Sequence, residues 1–340
     1  MTKINDRRIE STLLLGAIGD ALGAPVEFHK AQTIEATFGI EPPQDLAYAD
    51  DPPARFTDDT QMTLFMAEGL KRALRRGVAR DRDGFRREAA RSLVHWLATQ
   101  DRSVLTEIDD AEDSALLDVK DLHVQRAPGN TCMSSCRYIH RGGALPDLDN
   151  RINDSKGCGA VMRSAPYGLW ADTADEAFRW ARDAGVLTHC HPSGYLSAAY
   201  FAALIFELAQ GTEFDAAMEV ADQLLAREED AEETQQAVAA AKGVTDDGSL
   251  SFEEMITLGE GWVGEEALAI ALAVARAADL SSADGVRQAL WLAARHDGDT
   301  DSTAAMAGNL IGAICEPEAM PKRWVEQIKM RQVIEELTRR

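Results

Sequence analysis

The segment Leu13-Leu14-Leu15-Gly16-Ala17-Ile18-Gly19-Asp20-Ala21-Leu22 repeats small and apolar residues at intervals of three and four. That spacing is the period of a helix with an apolar face, and small residues on it allow a second helix to approach closely. The same period recurs at 194–210, 214–226, 264–279, 282–295 and 301–314. Few runs show the two-residue alternation that is typical of strands. The sequence therefore predicts an all-α protein.

The helical pattern runs along the chain without an internal repeat or a linker that would mark a domain boundary. We predict one compact domain over 1–340, with a core at about 8–316 and a C-terminal helix at 321–339. Prolines at 42, 43, 52 and 53 predict a long loop over 39–56, and glycines with prolines predict another over 127–168. Loops of this length inside a compact domain are usually functional.

The charge balance restricts the partners of the protein. The 340 residues include 35 Lys and Arg against 57 Asp and Glu, which gives a formal net charge of −22. Nucleic acid and an anionic membrane surface are therefore unfavourable partners, because both are bound mainly through Lys and Arg. The polar start of the chain, 1–8, does not resemble a signal peptide. Five scattered cysteines fit reduced thiols, so we expect a cytoplasmic protein.

Two clusters of carboxylates and hydroxyls each occupy about one helical turn, Thr57-Asp58-Asp59-Thr60-Gln61 and Gly298-Asp299-Thr300-Asp301-Ser302. Either cluster alone can cap a helix, because oxygen acceptors and acidic residues stabilise a helix N-terminus. Capping needs only one acceptor, however, and crowded carboxylates repel one another unless a cation neutralises them. Ligand sets made only of oxygen select Mg²⁺ or Mn²⁺ rather than Zn²⁺. Together the clusters indicate a pair of such ions. By contrast, Thr245-Asp246-Asp247 precedes no helical pattern and predicts a turn.

Three glycine-containing segments have a structural interpretation, and two of them also have a functional one. Segment 16–27 can serve helix packing, with Asp20 as a buried partner for polar groups. Segments 128–131 and 153–163 form either a flexible surface loop or a cradle of backbone N–H groups around a phosphate. Lys156 and Arg163 favour the anionic ligand.

A histidine pair lies in the segment Thr188-His189-Cys190-His191-Pro192. A zinc site with Cys132 and Cys136 is disfavoured, because the x₃ spacing is loose and adjacent ligands suit tetrahedral chelation poorly. His189 is either a core residue or a residue beside an anionic ligand.

The order of these motifs resembles the ADP-ribosylglycohydrolase family, which includes the dinitrogenase reductase-activating glycohydrolase and the eukaryotic ADP-ribosylhydrolases. The resemblance extends from residue 16 to about 312 and rests on Gly19-Asp20-Ala21-Leu22-Gly23, Thr57-Asp58-Asp59-Thr60-Gln61-Met62, Gly157-Cys158-Gly159-Ala160-Val161-Met162-Arg163, Thr188-His189 and Gly298-Asp299-Thr300-Asp301-Ser302.

The resemblance implies an all-α fold with two Mg²⁺ or Mn²⁺ ions in a central cleft. It assigns the metal ligands to Thr57, Asp58, Asp59, Asp299, Asp301 and Ser302, the last standing where many relatives have Thr. It assigns proton transfer to Glu27 or Asp299. It assigns the binding of ADP-ribose to Gly129, Asn130, Thr131, Ser155, Gly157, Cys158, Gly159, Met162, Arg163 and His189. Lys156 stands where some relatives have an aromatic residue.

The implied reaction frees ADP-ribose from modified side chains of a protein, with ADP-ribosylarginine as the first expectation. It would reverse a regulatory or toxin-catalysed modification. ADP-ribosylserine, another ADP-ribose derivative, modified nucleic acid or a different two-metal hydrolysis are alternatives. Another alternative is a non-catalytic protein. It would be either a structural protein like the related lens crystallins or an immunity protein that occludes an ADP-ribosyltransferase toxin. Two intact acidic clusters favour catalysis, since a structural protein has no need of repelling carboxylates.

Overall fold

The computed structural model describes residues 4–49 and 54–339, and the expected loop prolines 52 and 53 lie outside them. The described residues form helices and connecting segments, with no strand among them, in the order α1 (Asp6–Gly23), α2 (Ala31–Phe38), α3 (Asp58–Arg75), α4 (Arg82–Gln100), α5 (Arg102–Leu105), α6 (Asn130–His140), α7 (Ala165–Trp170), α8 (Ala174–Gly185), α9 (Pro192–Ala209), α10 (Phe214–Leu225), α11 (Glu232–Val244), α12 (Phe252–Met255), α13 (Gly264–Ala277), α14 (Ala283–Ala294), α15 (Thr300–Ile314), α16 (Lys322–Gln327) and α17 (Arg331–Thr338). The predicted all-α single domain is confirmed.

Helix α9 lies at the centre of the domain. Its residues are apolar on every side, and almost all of them are buried. A helix that is apolar all round must be covered all round. Helices α7, α8, α10, α13 and α15 pack against α9 and cover it.

Helices α1 and α15 form a closely packed antiparallel pair. A Cβ atom on Gly19 would lie 2.0 Å from the Ala304 carbonyl oxygen, and one on Gly308 would lie 2.1 Å from that of Leu15. Only glycine fits at these two contacts. The C-terminal end of α1 therefore lies against the N-terminal end of α15, where the Thr300 hydroxyl donates to the Gly23 carbonyl at 3.0 Å.

Two predicted elements differ from the structure. The single helix expected at 321–339 is wrong, since α16 and α17 are separate helices. Ile328 and Met330, in the connection, are both buried, and residues two apart cannot share one face of a continuous helix. The loop expected over 127–168 contains α6, where Cys132 and Cys136 are buried at helical spacing. The glycines and prolines lie outside α6.

The remaining predictions agree with the described residues. Segment 39–49 is irregular, and the turn expected at Thr245-Asp246-Asp247 directly follows α11. No helix in the described ranges is both long and apolar enough to cross a membrane.

Candidate active site

A cleft of about 370 Å³ opens where α1, α3, α6 and α15 end or begin. Its walls come from the turn after α1, the first turn of α3, segments 127–132 and 157–162, and the first turn of α15. The tight pairing of α1 with α15 brings together residues as far apart in sequence as Glu27 and Ser302. We call this space the acidic cleft.

The first turn of α3 is held by Asp20, which projects from α1. The Asp20 carboxylate accepts the Thr57 backbone N–H at 2.8 Å and the Thr60 backbone N–H at 3.0 Å. It also accepts the hydroxyls of both threonines. Thr57 is the N-cap of α3, and its side chain accepts the backbone N–H of Asp59. Capping is thus done by Thr57, so the Asp58 and Asp59 carboxylates face the cleft instead.

The first turn of α15 is held by a contact that requires glycine. Gly298 has φ +126°, and a Cβ atom there would lie 1.9 Å from the Glu260 carbonyl oxygen. That oxygen accepts the Asp299 backbone N–H at 2.8 Å. The Asp299 and Asp301 carboxylates both accept from the backbone N–H of Ser302, at 3.3 and 3.0 Å. Both carboxylates line the acidic cleft.

Glu27 completes the acidic group from the turn after α1. Carboxylate oxygens of Glu27, Asp299 and Asp301 lie within 4.8 Å of one another. Burial, followed by the charge of Asp301, raises the pKa of Glu27 to about 9 and that of Asp20 to about 7. The same two causes hold the pKa of Asp59 well above its ordinary value.

The donor set of the cleft fits hard divalent cations. It consists of carboxylates and hydroxyls, the oxygen ligands that Mg²⁺ and Mn²⁺ prefer. The Asp59 Oδ1 atom is buried and has no hydrogen-bond partner within the described residues. Such an orphaned acceptor in a group of mutually repelling carboxylates is the environment that a bound cation neutralises.

The glycine-containing segments lie on the opposite wall of the cleft. Helix α6 begins at Asn130, so the free backbone N–H groups of its first turn lie at the cleft. On the neighbouring segment, a Cβ atom on Gly159 would lie 2.7 Å from the Cys132 sulfur. Close approach of these two segments therefore requires glycine at 159. The arrangement provides polar backbone groups without side-chain bulk.

His189 is a neutral imidazole at the edge of the acidic cleft. Burial, followed by the charge of Arg163, lowers the pKa of His189 to about 3. The Nδ1 atom lies 2.9 Å from the Thr188 hydroxyl. Its Nε2 edge lies beside Gly157. His189 can therefore exchange a hydrogen bond with a ligand without adding a positive charge.

The structure brings most of the expected site residues to one place. Those that line the cleft are Glu27, Asp58, Asp59, Gly129, Asn130, Thr131, Gly157, Cys158, Gly159, Met162, His189, Asp299, Asp301 and Ser302. Thr57, Ser155 and Arg163 do not line it, and each holds a residue that does. The Thr57 side chain accepts from Asp59, and the Ser155 hydroxyl lies 3.0 Å from that of Thr131.

The two cations expected beside an anionic ligand are engaged elsewhere. Arg163 is buried and donates to the Gly159 carbonyl and, at 2.6 Å, to the Thr188 hydroxyl. Lys156 forms ion pairs with Glu233 at 2.9 Å and Glu265 at 2.5 Å. Direct contact of either side chain with a ligand is therefore not supported, because each already has its own partners.

Two aromatic residues at the cleft were not predicted from the sequence. Phe28 and Trp262 both line it and stack on each other, with ring centroids 6.1 Å apart and planes inclined by 18°. Their exposed fractions are 76% and 40%, which is unusual for large apolar side chains. Phe28 directly follows Glu27, and Trp262 stands in the Gly261-Trp262-Val263-Gly264 segment. An aromatic residue between two glycines was the sequence signal that could have indicated Trp262 as a site residue.

The helical fold gathers two acidic helix N-termini beside a glycine-lined wall, and comparison with known proteins gives the class of protein. Residues 1–340 match the model of the ADP-ribosylglycohydrolase family, so the chain belongs to this family and is a glycosidase.

This chain and the relatives described here match over nearly their full lengths. It is 25% identical over 333 residues to ADP-ribosyl-[dinitrogen reductase] glycohydrolase of Rhodospirillum rubrum, covering 96% of this chain and 92% of that protein. It is 24% identical over 341 residues to an uncharacterized protein of Archaeoglobus fulgidus, covering 98% and 95%. A solved chain of an ADP-ribosylglycohydrolase-related protein complex has the same fold, with a TM-score of 0.64, 21% identity and coverage of 98% and 96%. The predicted family and enzyme class are confirmed.

Proposed function

We propose that the protein is a divalent-metal-dependent hydrolase that releases ADP-ribose from modified arginine side chains of proteins. The observation that carries this proposal is the convergence of Asp58, Asp59, Asp299, Asp301 and Glu27 on one cleft beside a glycine-lined wall. A relative named as a glycohydrolase of ADP-ribosylated dinitrogen reductase supports a protein substrate.

Two divalent cations, Mg²⁺ or Mn²⁺, would be held by the four aspartates together with Thr57 and Ser302. When bound, such ions polarise the ribose hydroxyls and lower the pKa of a bound water molecule. The buried, unpartnered Asp59 Oδ1 atom within the described residues is the specific support for this ligand set. Asp20 orients the α3 turn through its four hydrogen bonds to Thr57 and Thr60.

Proton transfer would fall to Glu27 and Asp299, whose carboxylate oxygens lie within 4.8 Å of each other. The Asp299 Oδ2 atom accepts from the Cys158 thiol at 2.7 Å and is thereby fixed. Glu27 has no hydrogen bond within the described residues, so its carboxyl is available to a substrate. In the proposed step a water oxygen bonds to ribose C1″, the C1″–N bond breaks, Asp299 takes the proton of the water, and Glu27 protonates the departing nitrogen.

The glycine-lined wall would hold the diphosphate of ADP-ribose. Backbone N–H groups at the start of α6 and around Gly157–Gly159 can donate to phosphate oxygens without a charged side chain. This arrangement also explains how an acidic protein with a net charge of −22 can accept an anionic substrate. Neutral His189 would add a hydrogen bond at the edge of the wall.

The aromatic pair supports arginine as the leaving group. Phe28 and Trp262 present exposed faces beside Glu27. A guanidinium group stacks on aromatic faces and pairs with a carboxylate, whereas a serine hydroxyl does neither. The five cysteines are free thiols, and a reducing cytoplasm is the compartment we propose. There the reaction would reverse either a regulatory or a toxin-catalysed modification.

The test is release of ADP-ribose from matched peptides that are ADP-ribosylated on arginine or on serine, with Mg²⁺ or Mn²⁺ present. We expect release from the arginine peptide, and loss of release on chelation. Preferred release from the serine peptide would replace arginine with the O-linked substrate. No release from either peptide by the metal-loaded protein would overturn the hydrolase proposal.

A further inference from the structure

A second chamber, of about 350 Å³, adjoins the acidic cleft. Glu27, Phe28 and Ala127 line both spaces, so the two adjoin at the carboxyl that we assign to the leaving group. None of the glycine-wall residues lines this chamber. Under the proposed function, in which Glu27 protonates the leaving group and the glycine-lined wall holds the diphosphate, this chamber lies on the side of the acceptor. We call it the arginine chamber, after Arg55 and Arg126 in its wall.

Arg126 is a buried cation that forms no ion pair within the described residues, and the charges of Asp20 and Asp121 act on it from beyond ion-pair distance. Its exposed fraction is 7%, and its guanidinium carbon lies 4.3 Å from the centroid of the Phe56 ring. One guanidinium N–H donates to the Phe56 carbonyl at 3.3 Å. The Nε atom is buried and has no partner within the described residues. A buried guanidinium that lacks a counter-ion is costly, so an anion in the chamber would be bound favourably.

Arg55 adds a second positive charge to the same chamber. It is exposed, and it forms no ion pair among residues 4–49 and 54–339. Burial, followed by the charge of Arg55, lowers the pKa of Arg126 below its ordinary value. Two other buried arginines are held differently: Arg72 pairs with Glu88 at 2.7 Å, and Arg163 donates to the Gly159 carbonyl and the Thr188 hydroxyl.

A backbone hydrogen bond joins the arginine chamber to the acidic cleft. The Arg126 carbonyl accepts the backbone N–H of Asp58 at 3.1 Å. The backbone of Arg126 is therefore joined directly to the first turn of α3. An anion bound at Arg126 would be held at a defined position relative to the carboxylates of the cleft.

We infer that the arginine chamber binds a carboxylate on the acceptor part of the substrate, and so selects ADP-ribosylated sites that have an acidic group beside them. This inference rests on the proposed function for its substrate. Two guanidinium groups match the planar, bidentate geometry of a carboxylate. The carboxylate can come from an acidic residue next to the modified arginine or from the free α-carboxylate of ADP-ribosylarginine itself.

The test compares substrates that differ only in this charge. The first pair is two capped ADP-ribosylarginine peptides, one with Glu and one with Gln next to the modified residue. The second pair is free ADP-ribosylarginine and its N-acetylated amide. For the metal-loaded protein we expect a KM about tenfold lower for the carboxylate-bearing member of whichever pair supplies the natural group, as expected of a charge-assisted hydrogen bond. The pair that shows the preference identifies the source of the carboxylate.

Substitutions in the arginine chamber test whether its two arginines cause the lower KM of the carboxylate-bearing substrates. Arg55→Gln, at an exposed position, should reduce the ratio of the two KM values toward one. Arg126→Met, which keeps apolar contact with Phe56, should do the same, and its thermal unfolding shows whether it is folded. Arg75→Gln is the matched control, because Arg75 is exposed near the far end of α3 and outside the chamber. It should leave the ratio unchanged.

Calorimetric binding of the unmodified Glu and Gln peptides provides a readout that does not need hydrolysis. Tighter binding of the Glu peptide, lost in Arg55→Gln, would support the inference even if no modified peptide were hydrolysed. Equal binding and equal KM for both members of each pair would overturn it, including the case in which the arginines only neutralise carboxylates of this chain. Hydrolysis without any charge preference would leave the proposed function standing and remove the inference alone.

Discussion

The Asp20 carboxylate accepts the backbone N–H of Thr57 at 2.8 Å, joining α1 to the first turn of α3. It accepts three further hydrogen bonds from Thr57 and Thr60. A single buried carboxylate therefore sets the direction in which the Asp58 and Asp59 side chains point. Asp20 acts as a positioning residue for the cleft.

Asp20→Ala is expected to leave two backbone N–H groups and two hydroxyls without their acceptor. We expect the free energy of unfolding to fall by about 1–3 kcal/mol, the usual cost of unsatisfied buried donors. We also expect Mn²⁺ binding to weaken, because the α3 turn loses its orientation. Urea denaturation and calorimetric Mn²⁺ titration measure the two effects. Asp246→Ala, in an exposed turn, is the control, and equal Mn²⁺ affinity in both variants would contradict the role of Asp20.

Asp301→Ala is expected to abolish metal binding and hydrolysis with little loss of folding. Its carboxylate raises the pKa of Asp20, Glu27, Asp58 and Asp59, so its removal also relieves repulsion in the metal-free protein. Metal titration, ADP-ribose release and thermal unfolding test these points. A variant that keeps full activity would show that the ligand assignment is wrong.

Glu27→Gln is expected to lower kcat by about 10²–10⁴-fold, the usual contribution of a general acid. Divalent-metal affinity should change much less, because four aspartates remain in the cleft. Steady-state kinetics and metal titration on the same preparation separate the two effects. A parallel loss of metal affinity and activity would instead make Glu27 a ligand.

The stability of the metal-free protein is expected to fall as the pH rises. Burial and neighbouring carboxylates raise the pKa of Asp20 to about 7 and that of Glu27 to about 9. The folded state then binds more protons than the unfolded chain, so the stabilisation is fully present below about pH 4 and is lost as the pH rises through the folded values. We expect Tm to decrease from about pH 6 to about pH 9.

Mg²⁺ is expected to reduce this decrease in Tm, since a cation replaces the protons in neutralising the carboxylates. Asp301→Asn should also reduce it, without metal. Calorimetric melting with Mg²⁺ or with a chelator makes the comparison. The same pH profile in both conditions would contradict a metal site in the acidic cleft.

Gly308→Ala is expected to destabilise the protein by about 1–3 kcal/mol, as overpacking does. The new Cβ atom would lie 2.1 Å from the Leu15 carbonyl oxygen and force α1 away from α15. Metal affinity should fall as well, because that pair brings Glu27 to the Asp299–Asp301 turn. Gly243→Ala, in α11 where a Cβ atom meets open space, should stabilise slightly. Denaturation curves of the two variants make the comparison.

Local pattern predicted much of the fold. The periodic segments at 194–210, 264–279 and 301–314 correspond to α9, α13 and α15 within a few residues, because small and apolar residues at helical spacing favour packed helices. The errors arose where tertiary packing overrode local signals. Burial of Cys132 and Cys136 stabilises the helix α6 within a region of glycines that predicted a loop. Burial of both Ile328 and Met330 separates α16 from α17, although no proline or glycine marks the end of a helix there.

The sequence by itself determined that the protein is helical, acidic and equipped with two carboxylate clusters, because residue type and period are local properties. Only the tertiary structure decided that Asp58 and Asp301 share one cleft, since that proximity depends on the glycine contacts between α1 and α15. It also decided that Lys156 and Arg163 are engaged with other groups, while Arg126 lines a chamber that Glu27 also lines and forms no ion pair within the described residues. The sequence determines which residues are charged, but the contacts formed on folding determine which of those charges are neutralised.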